Sequence, residues 1–559
     1  MDLVQLRFLP QTGQCEMVVK LNVVFEGINI NEEIHSVRKI TDTIGSLIEH
    51  TKNKLTKIIN DKKSTSDNQI TDQFYDIPVS FKRKSHKHSK VFPNDESLQL
   101  FLLEDHDKTI VQIFDKKFLL QVNPPLIKNI QLPKILYASY VIQPSKFHAL
   151  YTNKVFSHFT WYKSLDLISW EEVGNSYDYT INKNDLGHYL KVVCVPVSDK
   201  LSEGPPAEAI SQRTVQEFPE LPMCPFQSRH QYTKNILQKI DFRFLTYNTL
   251  SNRYTEMNLA FSYCPSEVLA IDYRKQLIYQ ELKGYNADII CLQEIDNREY
   301  NNYFREKLSE LGYVSKFHRK GHNISEGLLC ATRKTRYQLL SCQQVVLTEA
   351  LRIKKLFEPL NQLLNKNRDL KKSFMKQSTS LQVTTLKCKE VNRIMVIGNT
   401  HLYYHPSATA IRLLQAHIIT SYLSDVKKRM SCEWKNFEVD VILCGDFNSS
   451  PGGAIYNFLS EGSIPADNEF CLQISEEGKV NFSHELNFIS ACGTPKYTNY
   501  TDDFKSCLDY IFIQEKKIEV KQIIPLPEEE LEQYIGLPNE VYPSDHVALV
   551  VDLQFKDQI

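Results

Sequence analysis

The sequence contains no unbroken apolar run of about 18 residues, the length that a membrane-spanning helix needs. An excess of one charge is also missing, because 66 Lys and Arg residues face 67 Asp and Glu residues, a net charge of −1. The first absence predicts that no membrane is involved. The second means that total charge favours no partner, so that any phosphate-binding surface must be local.

Paired cysteines are missing as well. The 13 cysteines are an odd number and stand singly, with no Cys-x-x-Cys spacing. This pattern argues against a disulfide framework and against a structural zinc site, and it is typical of a reducing compartment. We therefore expect no disulfide partners. The sequence leaves the oligomeric state open.

The beginning of the chain lacks the Arg-rich and Ser-rich amphipathic stretch of a transit peptide. Residues 1–8, MDLVQLRF, carry an early acid and predict a first strand instead. A chain of 559 residues is too long for a single hydrophobic core, and its length favours two to four domains.

Changes of pattern divide the chain into four regions. Residues 1–130 alternate short apolar runs with polar connections and predict a β-rich region. Residues 131–213 predict an immunoglobulin-like β-sandwich, with Trp161 in its core, but without a cysteine pair for the usual bridge. Three prolines and no long periodic pattern over 214–240 indicate a linker. Residues 241–557 then predict a further domain.

Two basic segments contrast with the neutral total. Residues 81–90, FKRKSHKHSK, predict a solvated loop, with an RNA contact as the sharper alternative. Residues 352–376 predict a helix with eight Lys or Arg residues against Glu358 and Asp369. Such a helix presents either a solvated amphipathic face or a local field that steers a polyanion.

After residue 240 strand-like and helical patterns alternate. Helical periodicity is visible at 271–282 and 410–423. This alternation predicts an α/β (α+β) sandwich of two sheets flanked by helices. The strand-like runs lie at 242–247, 287–293, 394–399, 439–444 and 508–513.

Six short polar clusters lie at or just beyond the ends of these apolar strands, where side chains can project from a rigid scaffold into a common cleft. Each cluster alone has a structural explanation, such as a turn opened by Asn248 or a satisfied core histidine at His401. The clusters are Tyr247-Asn248, Gln293-Glu294, Asn399-Thr400-His401, Gly445-Asp446-Phe447-Asn448, Leu508-Asp509-Tyr510 and Ser544-Asp545-His546.

In this order the six clusters resemble the exonuclease/endonuclease/phosphatase superfamily, and the resemblance covers residues 240–557. It implies a magnesium-dependent phosphodiesterase, with Mn²⁺ as a substitute metal. Phosphodiester hydrolysis needs a hard cation, and carboxylates with retained waters suit Mg²⁺. The implied metal ligands are Glu294, Asp446, Asn448 and Asp545. The implied catalytic residues are Asn248, His401, Asp446, Asn448, Asp509 and His546.

The chemistry of the reaction suggests a role for each catalytic side chain. Asp446 is expected to orient or deprotonate the attacking water, and Asn448 to steady that water or the phosphoryl oxygens. His401 would donate to a non-bridging oxygen. Asp509 would bind the far nitrogen of His546, and this pair would serve as general base or as a charge-stabilising imidazolium.

Further strings resemble the deadenylase branch of the superfamily and, within it, the mitochondrial 2′,5′-phosphodiesterases. They include NTHLYYHP at 399–406, LDYIF at 508–512 and PSDH at 543–546. This resemblance implies hydrolysis of 2′,5′-linked oligoadenylate and removal of 3′-terminal adenylates from RNA, so the expected partner is RNA or oligoadenylate. The alternatives are a cytosolic poly(A)-specific deadenylase without 2′,5′ activity and an inactive RNA-binding scaffold.

Four residues are predicted to contact the substrate. His322 and Glu326 lie in a predicted loop, and Tyr403 and Tyr497 offer rings on which bases stack. The structural alternative for each tyrosine is a half-buried strand residue. The resemblance also implies the mitochondrial matrix, with the cytoplasm as the alternative because no transit peptide is visible.

Overall fold

A computed structural model describes residues 2–67, 73–84, 89–104, 106, 108–219, 226–257, 261–321, 324–475 and 482–556. The chain forms two compact units, Met1–Pro219 and Glu220–Ile559. Over the described ranges, none of the helices is long and apolar enough to cross a membrane. The cysteines in these ranges are all free.

The first unit begins with a seven-stranded sheet and a long helix. The sheet has the order β3-β2-β1-β7-β6-β4-β5, in which only β1 and β7 pair in parallel. Its elements are β1 (Leu3–Leu9), β2 (Gln14–Phe25), β3 (Ile28–Lys39), α1 (Ile44–Asp67), β4 (Val79–Lys84), β5 (Ser89–Val91), α2 (Leu98–Phe101), β6 (Thr109–Ile113) and β7 (Lys116–Val122).

Two features of this region differ from the sequence predictions. The 24-residue helix α1 was not predicted; it buries Ile44, Leu47, Leu55 and Ile59 at helical spacing against the sheet. The basic run at 81–90 was predicted as a loop, but its ends belong to the antiparallel pair β4 and β5. Residues 85–88 of that run lie outside the described residues.

The rest of the first unit is built from short strands. A four-stranded sheet of order β12-β11-β14-β15 buries Trp161, and two two-stranded sheets pair β10 with β8 and β13 with β9. The immunoglobulin-like arrangement itself stays a prediction. The strands are β8 (Leu126–Gln131), β9 (Val141–Ile142), β10 (Lys146–Leu150), β11 (His158–Ser164), β12 (Glu171–Gly174), β13 (Tyr179–Thr180), β14 (Tyr189–Val195) and β15 (Ala207–Ile210).

The predicted linker is partly folded. The boundary between the two units falls within 214–240, but residues from 226 onward form helix α3 (Gln227–His230) and a 3₁₀ turn, Gln231–Thr233. Phe226 is 1% exposed within a core cluster of the second unit. Arg229 is buried and donates to the carbonyl oxygens of Pro525 and Ala548. This segment is therefore part of the second unit.

The second unit contains two six-stranded mixed sheets. Their orders are β18-β19-β17-β16-β31-β30 and β20-β21-β22-β23-β29-β26. The strands are β16 (Asp241–Asn248), β17 (Ile289–Asp296), β18 (Tyr313–Arg319), β19 (Glu326–Arg333), β20 (Tyr337–Val346), β21 (Ser380–Cys388), β22 (Arg393–His401), β23 (Glu438–Asp446), β24 (Ser463–Ile464), β25 (Phe482–Ser483), β26 (Phe488–Ser490), β27 (Asn499–Tyr500), β28 (Lys505–Ser506), β29 (Asp509–Gln514), β30 (Ile518–Ile523) and β31 (Leu549–Phe555).

Helices cover the outer faces of both sheets. Residues 352–376, predicted as one helix, form parts of three, because Pro359 begins a new helix and Asn367 caps the next. The helices are α4 (Asn252–Met257), α5 (Ser266–Leu269), α6 (Ile271–Tyr285), α7 (Asn297–Glu299), α8 (Arg305–Glu310), α9 (Leu347–Ile353), α10 (Glu358–Lys366), α11 (Arg368–Met375), α12 (Thr409–Glu433), α13 (Ala454–Glu461), α14 (Glu469–Ile474) and α15 (Glu528–Leu531).

The core between the two sheets comes from strands that are buried on both faces. Phe244, Ile289 and Val551 of one sheet pack in the same cluster as Met395 and Ile442 of the other. Side chains on the outer faces of the strands pack against the helices. Burial on both faces explains why the strands appear in the sequence as continuous apolar runs. The predicted two-sheet α/β architecture is confirmed.

Candidate active site

The polar ends of five strands meet at one edge of the second unit. β16 ends at Asn248, and the parallel strand β17 carries Glu294 two residues before its end. β22 ends at His401, and the parallel strand β23 ends beside it at Asp446. β29 runs antiparallel to β23 and begins opposite that carboxylate with Asp509. Strand direction therefore brings the predicted clusters together.

Glu294 owes its position to a β-bulge. Leu292 pairs with Leu329 and Ile295 pairs with Gly327, so two residues, Gln293 and Glu294, face one residue of β19. The extra residue is accommodated because Glu294 adopts a left-handed backbone conformation with φ of 58°. A bulge re-aims side chains next to active sites.

Asn248 connects the two sheets at the site. Its Nδ2 donates to Glu294 Oε1 at 3.1 Å and to Asp446 Oδ2 at 3.0 Å. Its Oδ1 accepts from the backbone N–H of Leu250 at 3.1 Å. All polar atoms of this buried amide therefore have partners, which fixes one carboxylate from each sheet on either side of it.

The turn after β23 positions Asp446 and Asn448. Gly445 adopts a φ of +132°, and a Cβ there would lie 1.9 Å from the carbonyl oxygen of Thr400 on β22, so only glycine fits. Asn448 has a left-handed φ of 47°, and its backbone N–H donates to Asp446 Oδ1 at 2.8 Å. The Asn448 amide donates to the carbonyl oxygen of Leu402 at 3.1 Å, next to His401.

Two histidines flank the carboxylates. His546 Nδ1 lies 2.7 Å from Asp509 Oδ2, the pairing that the sequence predicted, and His546 Nε2 lies 3.7 Å from Asp446 Oδ2. His401 Nε2 lies 3.5 Å from the same Asp446 oxygen, and His401 Nδ1 lies 3.7 Å from Glu294 Oε1. Both imidazoles thus approach Asp446 with one nitrogen each.

Burial and crowding shift the pKa values of these groups. Burial raises the pKa of Glu294 to about 8, and the charges of Glu326 and Asp545 add to the shift. Burial and the neighbouring Asp509 raise the pKa of Asp446 to about 6. These shifts show that the site contains more negative charge than its own residues neutralise.

The two histidines are shifted in opposite directions. Burial disfavours the charged form of both, and for His401 the nearby Lys320 and His546 lower the pKa further, well below 6.5. For His546 burial is outweighed by Asp509, Asp545 and Asp446, which raise its pKa well above 6.5. A neutral imidazole and an imidazolium therefore stand on either side of Asp446.

Several supporting contacts were not predicted from the sequence. Gln293 Nε2 donates to Asn399 Oδ1 at 2.8 Å, which links the two sheets directly behind the site. Lys320 Nζ lies 3.3 Å from His401 Nδ1. Asn499 Nδ2 donates to Asp545 Oδ2 at 3.2 Å. The clusters contain Gln293 and Asn399, but their pairing joins residues far apart in sequence.

The four predicted substrate residues have different surroundings. Glu326, predicted in a loop, is the first residue of β19, is 1% exposed and lies 3.6 Å from Lys320 Nζ. Tyr403 is half-buried two residues beyond His401, and its ring meets the exposed Tyr404 edge-on. Tyr497 is half-buried and packs edge-on against Tyr500. His322 lies outside the described residues.

The donor set fits a hard cation. Asp446, Asp509 and His546 place ligand atoms within 4.8 Å of one another. Asp509 Oδ1 is buried without a hydrogen-bond partner, and an unpaired buried carboxylate oxygen is costly. Glu294 and Asp545 add further oxygen donors nearby, and hard divalent cations prefer such donors.

Comparison with known proteins agrees with this geometry. The profile described as Endonuclease/Exonuclease/phosphatase family matches residues 245–546, which include every predicted cluster from Tyr247 to His546. The chain belongs to this family. Its catalytic residues and metal ligands in the sequence-based assignment all lie within the matched range.

Curated relatives extend the match beyond the catalytic unit. Human 2′,5′-phosphodiesterase 12 is 35% identical over 478 residues, which is 80% of this chain and 76% of that protein. The CCR4-Not complex 3′-5′-exoribonuclease subunit Ccr4 of Schizosaccharomyces pombe is 29% identical over 57% of this chain and 50% of its own. The solved structure of ANGEL2, a 2′,3′-cyclic phosphatase, is 24% identical with a TM-score of 0.48 and covers 57% of this chain and 97% of that one. The endonuclease/exonuclease/phosphatase fold and a hydrolase activity on phosphoesters follow from the family.

Proposed function

We propose that this chain is a magnesium-dependent phosphodiesterase that hydrolyses 2′,5′-linked oligoadenylate and removes 3′-terminal adenylates from RNA. The substrate assignment is supported by the relatives named 2′,5′-phosphodiesterase and 3′-5′-exoribonuclease. One observation carries the chemistry: a single amide, Asn248 Nδ2, bridges Glu294 and Asp446 beside the Asp509–His546 pair.

The metal ligands that we propose are Glu294, Asp446, Asn448 and Asp545, with Mn²⁺ as a substitute for Mg²⁺. When bound, the cation supplies Lewis-acid stabilisation of the charge that develops on the phosphoryl oxygens. Asn248 keeps Glu294 and Asp446 about one amide group apart, and Ser251 N donates to Glu294 Oε2 at 2.9 Å, so the carboxylates are oriented in advance.

The chain's own residues complete the reaction. Asp446 accepts a proton from the attacking water, and the Asn448 amide orients that water or a phosphoryl oxygen. His401, neutral because its pKa is lowered, donates one hydrogen bond to a non-bridging oxygen. His546, kept as an imidazolium by Asp509, donates from Nε2 toward the same charge. Donors fixed before the reaction need no reorganisation as charge develops.

A digest of 2′,5′- and 3′,5′-linked adenylate trimers, with Mg²⁺ or with EDTA, tests the proposal. We expect both linkages to be cleaved with Mg²⁺ only, the 2′,5′ linkage at least as fast. Cleavage of the 3′,5′ linkage alone would instead establish a poly(A)-specific deadenylase, the alternative that the similarity to Ccr4 favours. No cleavage of either trimer would leave an RNA-binding scaffold. The mitochondrial matrix, with the cytoplasm as alternative, remains a prediction that subcellular fractionation tests.

A further inference from the structure

The excursion between β20 and β21 concentrates positive charge in a nearly neutral protein. Residues 352–376 contain eight Lys or Arg residues against two acidic ones, a net charge of +6, whereas the whole chain has a net charge of −1. Six of these basic side chains are exposed, namely Arg352, Lys355, Lys366, Arg368, Lys372 and Lys376. A local field of this kind attracts polyanions.

Both ends of the excursion are fixed beside the candidate active site. Leu347, the first residue of α9, donates from its backbone N–H to the carbonyl oxygen of Thr379 at 3.1 Å. The next residue, Ser380, accepts at its carbonyl oxygen from Thr400 Oγ1 at 3.1 Å. Thr400 directly precedes His401. The basic helices therefore begin and end within a few residues of the reacting groups.

The helices of the excursion are anchored to the core of the second unit. Leu364 of α10 and Phe374 of α11 are both fully buried in the cluster that covers the second sheet. Asn367 separates the two helices and caps α11 by accepting from Leu370 N at 3.1 Å. The basic surface is thus carried by packed helices, whose cationic side chains have a fixed base.

Arg352, Asn361, Lys371 and Met375 line a cavity of about 570 Å³ on this excursion. Lys371 Nζ donates to Asn361 Oδ1 and Asn365 Oδ1, both at 2.6 Å. These neutral amides orient the ammonium group without neutralising it. Among the described residues, no carboxylate lies within 4.0 Å of Arg352 or Lys371. The cavity thus offers two unneutralised cations in a volume that suits a nucleotide unit.

We infer that this cavity binds the phosphodiester backbone of the oligonucleotide body, the part of the chain that stays intact when a terminal adenylate is removed. The inference rests on the proposed function, because an enzyme that cuts at an end must also accommodate the rest of the chain. Arg352 and Lys371 would each contact a phosphate, and the exposed lysines of the excursion would continue the track. A dinucleotide is too short to reach the cavity from the site.

A binding measurement tests this inference without any catalysis. Fluorescein-labelled (rA)20 is titrated with the full chain in EDTA, and anisotropy gives the affinity between 50 and 200 mM salt. We expect Arg352→Gln/Lys371→Gln to bind roughly tenfold more weakly at 50 mM salt, with a salt slope smaller by about 0.7 for each phosphate that the variant leaves unbound. The matched control is Lys435→Gln/Lys516→Gln, because these exposed lysines lie beside the opposite ends of β23 and β29.

Cleavage assays separate this inference from the proposed function. With Mg²⁺, the Arg352/Lys371 variant should cleave diadenylate within twofold of wild type, which also shows that it folds, and should lose roughly tenfold in kcat/KM on (rA)20. Equal affinity of this variant and the control for (rA)20, or equal losses on short and long substrates, would overturn the inference. Wild-type chain that cleaves no adenylate would overturn the proposed function alone, since the EDTA binding result would still decide the cavity.

Discussion

The contact between Asp509 and His546 makes the most exacting prediction about the mechanism. Asp509→Asn keeps the size of the side chain and removes its charge, so the 2.7 Å bond to His546 Nδ1 loses its ionic character. Hydrogen bonds to charged groups contribute about 1.5–3 kcal/mol. We therefore expect kcat/KM on 2′,5′-diadenylate to fall roughly 10- to 150-fold at saturating Mg²⁺.

The double variant decides whether the two residues act as one unit. If Asp509 acts only through His546, then Asp509→Asn adds almost nothing once His546→Ala has removed the imidazole, and the coupling energy equals the single Asp509 penalty. Asp425→Asn is the control for removal of a carboxylate, because Asp425 forms an exposed ion pair with Arg429 on α12. It should change kcat/KM by less than twofold.

The same assay contains the result that would refute this reasoning. Asp446, Asp509 and His546 lie close enough together to share a metal ion. If Asp509 is a metal ligand, the single penalties will add in the double variant, and Asp509→Asn will raise the Mg²⁺ concentration needed for half-maximal activity. A pure positioning role predicts an unchanged Mg²⁺ requirement. Titrating Mg²⁺ for each variant separates the two roles.

Four further predictions follow from other parts of the second unit. Glu294→Ala should abolish Mg²⁺-dependent cleavage and leave the circular dichroism spectrum unchanged; activity within about tenfold of wild type, only about 1.4 kcal/mol, would remove Glu294 from the metal site. Gly445→Ala should destabilise the fold by more than about 2 kcal/mol in urea unfolding, because its Cβ would meet the backbone of β22; a neutral effect would contradict the φ of +132°. Burial raises the pKa of Glu281 from 4.5 to about 7, so the folded chain retains a proton that the unfolded chain loses. The stabilisation is complete below pH 4.5 and is lost as pH rises to about 7, by about 3 kcal/mol, and Glu281→Gln should lack this slope in urea titrations at pH 5 to 8. A fragment of residues 220–559 should fold and cleave diadenylate, whereas one starting at 234 should be insoluble, because it lacks Phe226 and Arg229; equal solubility of the two would refute this boundary.

Much of the site was predictable because parallel strands turn local patterns into a shared position. Each cluster follows a continuous apolar run, such as Ile442 to Cys444 before Asp446. A run buried on both faces must be a central strand, and the ends of neighbouring parallel strands meet at one edge of the sheet. Residues that follow such runs are therefore brought together without knowledge of any contact between them.

The parts that were missed depend on information that local patterns do not carry. Helix α1 has low hydrophobicity, because only its face with Leu47, Leu55 and Ile59 is buried, and its Lys, Asn and Asp residues favour a loop prediction. The pairing of Lys320 with His401 joins residues 81 positions apart. Only the register of the folded sheets creates such contacts, so the sequence shows the residue types without their partners.

The bulge at Glu294 shows why the scaffold behind the site is so thoroughly bonded. A left-handed φ at a non-glycine residue costs on the order of 1–3 kcal/mol, and the buried carboxylate adds an electrostatic cost. Such a conformation persists only if its neighbours leave no alternative. Gln293, one residue earlier, bonds across to Asn399 of the other sheet, and Ser251 N binds the far oxygen of Glu294. These contacts prevent β17 from relaxing into regular pairing, which would turn the Glu294 carboxylate away from Asp446 and dissolve the site.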